Sequence, residues 1–180
     1  MPESDEGLFG EVQAGSHEAF AVLVERYQRR AFVVALRLLG SRPEAEDAVQ
    51  QTFLRLYENR AAYRPRYRLN TWFYRILVNA CVDELRRRRP MVSLEDAEEP
   101  ATEGPERAAS RRERDRHLQA ALATVSLEAR IVLTLYYGEG RSYQEIGAIR
   151  GTSVNTVKTH LRRGRAALRK ALRARGVDGS

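Results

Sequence analysis

An all-α fold, built as two small helical modules, is what this sequence predicts. Three observations point there. Apolar residues recur at spacings of three and four along most of the chain, the period of a helix with one buried face. No stretch of useful length alternates with period two, as a half-buried strand would. Between two cationic blocks lies SLEDAEEPATEGPERAAS (93–110), acidic, broken by Pro and Gly and poor in apolar residues. Such a stretch buries too little to fold and reads as an extended linker.

The first helix is HEAFAVLVERYQRRAFVVALRLLG, with Ser16 as N-cap and Gly40 as stop. Phe20, Leu23, Val24, Tyr27, Ala31, Val34 and Leu38 form its apolar stripe. Ser41 and Glu44 read as a capping box, with Pro43 in the first turn. That predicts a second helix to about Asn59, with Ala45, Val49, Phe53 and Leu56 inward. Pro65 and a broken period make RAAYRPRYRL a loop. Asn70 caps TWFYRILVNACVDELRRRR, which Pro90 ends. Helical pattern resumes near Glu106. Ser126 caps LEARIVLTLYYG, closed by Gly138, and Ser142 with Glu145 forms another capping box. Ser153 caps a last helix to about Ala174, roughly 32 Å long at ~1.5 Å per residue. The expected boundaries are 1–90 for the first module, 91–111 for the linker and 112–176 for the second.

The chain has 180 residues, 43% of them hydrophobic, enough for a core in each module. Its net charge of +7 and pI near 10.0 favour a polyanionic partner. A lone cysteine, Cys81, excludes an internal disulfide and a Cys-rich zinc site. The three histidines are scattered, and neither a metal nor a cofactor is expected. No apolar run reaches ~18 residues, and the N-terminus is acidic, so a soluble, cytoplasmic protein is expected.

The second module ends in SYQEIGAIRG-TSVNTVKTHLRRGRAALRKALRAR, a short helix, a glycine turn and a long helix. This is a helix-turn-helix pattern, of the winged-helix-like kind, which hands its second helix to the DNA major groove. From Arg150 to Arg175 there are nine Lys/Arg and no acid, whereas an ordinary surface helix mixes both signs. Val154, Val157, Leu161, Leu168 and Leu172 make the inner stripe. Asn155, Thr156 and Thr159, near the N-terminus, suit base edges. Arg162, Arg163, Arg165 and Arg169 suit phosphates. In the first module, Tyr63, Tyr67 and Trp72 alternate with Arg60, Arg64, Arg66 and Arg68. Aromatics among cations can stack on unpaired bases, though Trp72 also begins the inner stripe Trp72, Ile76, Ala80. Asn79 could hydrogen-bond a base or a buried carbonyl. Arg86–Arg89 suits a phosphate.

On these residues the chain resembles the extracytoplasmic-function sigma factors of bacterial RNA polymerase. PEAEDAVQQTFLRLYENRAAYRPRYRLNTWFYRILVNACVDELRRRRP is similar to their region 2. LATVSLEARIVLTLYYGEGRSYQEIGAIRGTSVNTVKTHLRRGRAALRKAL is similar to their region 4. The resemblance implies a factor that binds core polymerase, recognises the −10 and −35 promoter elements and promotes melting, with no catalytic residues of its own. Glu46, Asp47, Gln50, Gln51 and Arg55 would face the β′ coiled coil. Tyr63, Tyr67, Arg68, Asn70, Trp72, Arg75, Asn79, Arg86 and Arg87 would take the −10 element. Ser153, Asn155, Thr156, Lys158, Thr159, Arg162 and Arg163 would take the −35 element. Region 4 would also sit on the β-flap, the linker would thread the active-site channel, and an anti-sigma factor would hold the protein inactive. Arg150, Thr152, Asn155 and Gln51 depart from the residues common in that family. Two other readings remain open. One is a stand-alone helix-turn-helix regulator binding as a dimer. The other is a metal-dependent nuclease using Glu44, Glu46 and Asp47, three acids that diverge around one helix.

Overall fold

The computed structural model describes residues 4–64, 68–88 and 105–176. The first module holds α1 (Asp5–Gln13), α2 (His17–Leu39), α3 (Arg42–Glu58) and α4 (Leu69–Arg87), with a 3-10 turn at Arg60–Ala62. The second holds α5 (Pro105–Ala123), α6 (Leu127–Leu133), a π-helical turn at Thr134–Gly138, α7 (Tyr143–Arg150) and α8 (Val154–Arg173). No strand occurs among the described residues, so the helix-turn-helix carries no β-wing there. The acidic linker lies outside the described residues up to 104, and helix is already present from Pro105.

Helix α1 was not anticipated. Its Ser4 hydroxyl accepts from Gly7 N at 3.0 Å, and Leu8, Phe9 and Val12 bury one short face against α2 and α4. It organises its surroundings through polar ends. Asp5 accepts from Tyr27 Oη at 2.6 Å and pairs with Arg26 at 2.8 Å. Gln13 Nε2 donates to Arg60 O at 2.8 Å. Glu6 Oε1 accepts from Leu69 N at 3.1 Å, so a carboxylate from α1 satisfies the start of α4. Asn70, expected as that cap, lies one residue inside the helix.

Two other expected caps are also replaced. Ser41 makes no side-chain capping bond, and the Glu44 carboxylate, the other half of the expected box, is taken by Arg88, whose Nε donates to Glu44 Oε1 at 3.1 Å. Ser126 makes none either. Local sequence favours these caps, but a guanidinium arriving from a distant helix competes better for a carboxylate than a backbone N–H does. Asp83 faces Arg55 of α3 at 3.6 Å, and Arg87 pairs with Glu84 at 3.0 Å.

The helix-turn-helix is built as its residues dictate. Ser142 Oγ accepts from Glu145 N at 3.2 Å, and Glu145 Oε2 accepts from Ser142 N at 2.8 Å. Burial opposes ionisation of Glu145, but these bonds and Arg141 outweigh it and hold the carboxyl below its usual range. Gly151 closes α7 at φ 64°, a left-handed conformation that glycine adopts without strain. Thr152 N then donates to Gly147 O at 2.9 Å. A Cβ on Gly147 would lie 2.9 Å from Thr152 O. Glycine at 164 serves the crossing of α8 over α6, where a Cβ would meet Leu133 Cδ1 at 3.0 Å and Ala129 Cβ at 3.1 Å.

The modules touch. One continuous buried cluster runs from Leu8 to Val82 and on through Leu122 to Leu161. Side chains of the second module reach the C-terminus of α2: Arg130 Nη1 donates to Leu38 O at 2.9 Å and Gln119 Nε2 to Leu36 O at 2.9 Å. From α4, Arg88 Nη2 donates to Leu39 O at 2.7 Å. Tyr74 Oη donates to Glu139 Oε2 at 2.5 Å, with the Arg141 guanidinium 4.8 Å from the Tyr74 ring centre.

Gly147→Ala tests the turn. An alanine ordinarily gains up to ~1 kcal/mol over glycine inside a helix. Here its Cβ meets a backbone carbonyl, and we expect a net loss of about 1–2 kcal/mol and a lowered thermal midpoint by circular dichroism. A raised midpoint would show that the turn gives way freely.

Candidate nucleic-acid interface

Helix α8 presents one buried and one cationic side. Val157, Leu161 and Gly164 are buried, and Leu168 packs at the margin of the core. Asn155, Lys158, Arg162, Arg163, Arg165 and Arg169 are exposed. Ser153 Oγ caps the helix by accepting from Thr156 N at 3.1 Å, and it lies 2.9 Å from Thr156 Oγ1. The Thr159 hydroxyl donates to Asn155 O at 3.0 Å. That leaves the Thr159 methyl and the Asn155 amide as the groups free to meet a base. Lys158 Nζ sits 5.9 Å from the Tyr143 ring centre, and Tyr143 stacks on Tyr136.

Helix α4 carries a second line of exposed groups. Arg68, Arg75, Asn79 and Arg86 follow one another at seven, four and seven residues, a single stripe on a helix. Arg87 lies beside it. The Asn79 side chain is exposed, which settles its alternatives in favour of an outward amide. Asn70 and Trp72 are half-buried. Asn70 Oδ1 accepts from Thr71 Oγ1 at 3.2 Å, and the Trp72 ring packs edge-on against Phe9 at 5.6 Å.

Tyr63 requires a correction. It was expected in an open loop with a ring free to stack on a base. It is 7% exposed, held between Phe9 and Trp72 with ring centres 5.1 Å from each. A ring covered on both sides offers no face to a base, so Tyr63 is core and fixes Trp72 instead. Tyr67 lies outside the described residues.

Helix α3 shows a third surface. Glu46, Asp47, Gln50 and Gln51 are exposed on its outer side. Arg42 holds Glu46 at 2.9 Å, and Arg55 is tied to Asp83 of α4. Sequence reading missed Leu54, 54% exposed among these polar groups. Its signal is a leucine out of phase with the inner stripe Val49, Phe53, Leu56. The acids of the nuclease reading lie on the same helix. Glu44 and Glu46 are engaged by different arginines, and among the described residues no three ligating side chains gather as a metal site would require.

Comparison with known proteins agrees with this division. The family profile of Sigma-70 region 2 matches residues 23–90, and that of Sigma-70, region 4 matches residues 115–168. The chain is 36% identical over 176 residues to the ECF RNA polymerase sigma factor SigW of Bacillus subtilis (strain 168), covering 91% of this chain and 94% of that one. It is 34% identical over 182 residues to the RNA polymerase sigma-H factor of Pseudomonas aeruginosa, covering 94% of each. The solved structure of CnrH in complex with the cytosolic domain of CnrY superposes with a TM-score of 0.76 at 26% identity, over 96% of this chain and 99% of CnrH.

If Arg162 grips a phosphate, Arg162→Ala releases one counterion fewer on binding. The slope of log affinity against log salt for duplex DNA should then flatten by about one. An unchanged slope would assign Arg162 to solvent.

Proposed function

The chain belongs to the extracytoplasmic-function sigma factors of bacterial RNA polymerase, and from that membership we propose how its surfaces divide promoter recognition. The protein is an initiation factor and not an enzyme. It binds core polymerase, recognises promoter DNA and promotes its melting, while nucleotide joining belongs to the polymerase. In our reading α3 docks on the β′ coiled coil through Glu46, Asp47, Gln50 and Gln51. Exposed Leu54 is the apolar anchor at their centre, the kind of residue that dominates an interface. Helix α8 enters the −35 major groove, with Asn155 toward the bases and Lys158, Arg162 and Arg163 along the strands. The α4 stripe takes the −10 element. There Arg68, Arg75, Arg86 and Arg87 hold phosphates, while Asn79, with Asn70 and Trp72 beside it, meets unpaired bases. Holding bases out of the stack offsets the few kcal/mol of unstacking and biases the duplex toward the open state.

The observation that carries this reading is the pairing of two outward basic stripes on separate modules, one on a helix-turn-helix. A stand-alone regulator needs only one of them. The site of action is the cytoplasm, where the polymerase works. No helix of the described residues is long and apolar enough to cross a membrane. CnrH is solved bound to another protein, and a protein partner of the anti-sigma kind is proposed here too. The direct test is run-off transcription by purified core polymerase with and without the chain. Selective start sites are expected only with it; their absence would overturn the assignment.

Asn79→Ala should leave closed-complex formation intact and impair opening, read by permanganate reactivity of the melted region. Equal loss of both would argue against a base-holding role.

Touching modules cannot reach both elements. The −35 and −10 positions are separated by roughly 85 Å of duplex at ~3.4 Å per base pair. Polymerase binding must therefore part the modules, and the Tyr74–Glu139 bond must break. Tyr74→Phe removes that donor at nearly constant shape. Affinity for core polymerase should rise by up to about tenfold, the ~1.5 kcal/mol of a hydrogen bond to a carboxylate. A titration showing no gain would mean that the bond does not oppose opening.

A further inference from the structure

On α2, Arg29, Arg30, Val33 and Arg37 fall on one side of the helix, at spacings of three and four. Together with Gly138 and Glu139 they line a cleft of about 440 Å³. Helix α2 belongs to the first module, whereas Gly138 and Glu139 end the π-helical turn of the second. The cleft therefore exists only while the modules touch.

Its charge is unbalanced. Arg29 and Arg30 are exposed, Arg37 is half-buried, and no carboxylate pairs with any of the three among the described residues. Asp5, the acid nearest in pattern, takes Arg26 instead. Glu139 is the one acid lining the cleft, and its carboxylate already accepts the Tyr74 hydroxyl. The Arg37 guanidinium reaches the second module at Gly138, where a Cβ would overlap its Nη1. Neither the polymerase-facing surface on α3 nor the two DNA stripes uses these residues.

Guanidinium forks match phosphate oxygens bidentately. Arg30 and Arg37 are seven residues apart, about 10 Å along the helix at ~1.5 Å per residue. One phosphate does not span that distance, and a chain of two or three does once the side chains lean in. The volume is that of a small-molecule pocket. We propose that this cleft binds a small ligand carrying two or more linked phosphates and that the ligand, bridging the modules, holds them closed. Binding itself does not depend on the promoter reading above. Its consequence, weaker engagement of polymerase, does, because affinity for the closed form must be repaid on opening.

The test uses the full chain without polymerase, with inorganic pyrophosphate and tripolyphosphate as probes in isothermal calorimetry at physiological salt. Saturable binding is expected, with tripolyphosphate the tighter. Arg29→Ala with Arg30→Ala should weaken it by about tenfold or more, since each lost charge-assisted bond contributes ~1.5 kcal/mol or more. Arg112→Ala with Arg116→Ala, equal in charge and exposed on α5, should leave it unchanged. A second measurement reads closure. Cys81 is the single cysteine, and burial pushes its thiol up to about 12, so cysteines introduced at Glu58 and Lys170 take dyes selectively. Tripolyphosphate should narrow the distance distribution between the dyes. Absence of saturable binding, equal loss in both double variants, or a dye distance indifferent to ligand would each overturn the proposal. A failure of run-off transcription would leave these readouts untouched.

Discussion

The C-terminus of α2 fixes the geometry of the whole molecule. A helix ends with carbonyls that no residue of its own can satisfy, and inside a protein they must find donors. Gly40 turns back in the left-handed conformation and gives its N–H to Leu36 O at 2.8 Å. The remaining carbonyls are met from three directions. Gln119 arrives from α5, Arg130 from α6 and Arg88 from the end of α4. The two guanidiniums also oppose the negative end of the helix dipole. Burial lowers the pKa of both, and Arg130 is lowered further by the nearby charge of Arg88. Cations placed there are held by carbonyl dipoles, with Glu44 the carboxylate that Arg88 shares. Once these donors are in place, the direction of α4, the docking of α6 and the separation of the two basic stripes follow.

The seam between the modules is part apolar, since one buried cluster runs through both, and part polar. Each module buries its own aromatic or aliphatic centre: Phe9, Phe73 and Tyr74 in one, Ile131, Leu135 and Ile146 in the other. The bonds between them run from side chains to carbonyls and from Tyr74 to Glu139. Water can replace each such partner at small net cost, since an intramolecular hydrogen bond contributes only ~1 kcal/mol over its hydrated alternative. The apolar part of the seam resists parting more, because exposing it costs ~25 cal/mol per Å². The same logic places arginines, rather than leucines, along the outer side of α2 where the second module rests.

What was legible in the sequence was local. The capping box at Ser142, the turn at Gly151 and the stripe of α8 all depend on neighbours within a few positions. They appear in the structure as read. What was not legible was settled by residues far away in sequence. At α3 the Glu44 half of the expected box is taken by Arg88, and at α4 the start of the helix is met by Glu6 rather than Asn70; both partners lie forty or more positions away. Tyr63 was misread for a linked reason. It is covered by Phe9, and Phe9 belongs to α1, a helix too short to show a convincing period. One missed element therefore produced one wrong site residue. Leu54 was overlooked although its phase, off the stripe Val49, Phe53, Leu56, marks it as outward.

The departures from the family pattern at the turn now have a physical account. Arg150 would be an awkward substitute for an apolar residue if it had to be buried alone. Instead it reaches across to Glu128 of α6, with Nη2 at 2.7 Å and Nε at 3.2 Å from the two carboxylate oxygens. A bidentate ion pair thus replaces apolar packing, and it locks α7 to α6 in one orientation. Thr152 contributes through its backbone, giving its N–H to Gly147 O. The turn is held without the side chains that usually hold it. It also follows that Arg150, engaged in this pair, is not available to DNA. The grip on phosphate must come from the exposed cations of α8 itself, which begin at Lys158, one turn beyond Asn155. The exposed groups of the first turn of α8 are polar and uncharged; under the proposed −35 contact, discrimination among sequences would fall to Asn155 and its threonine neighbours and affinity to the arginines behind them.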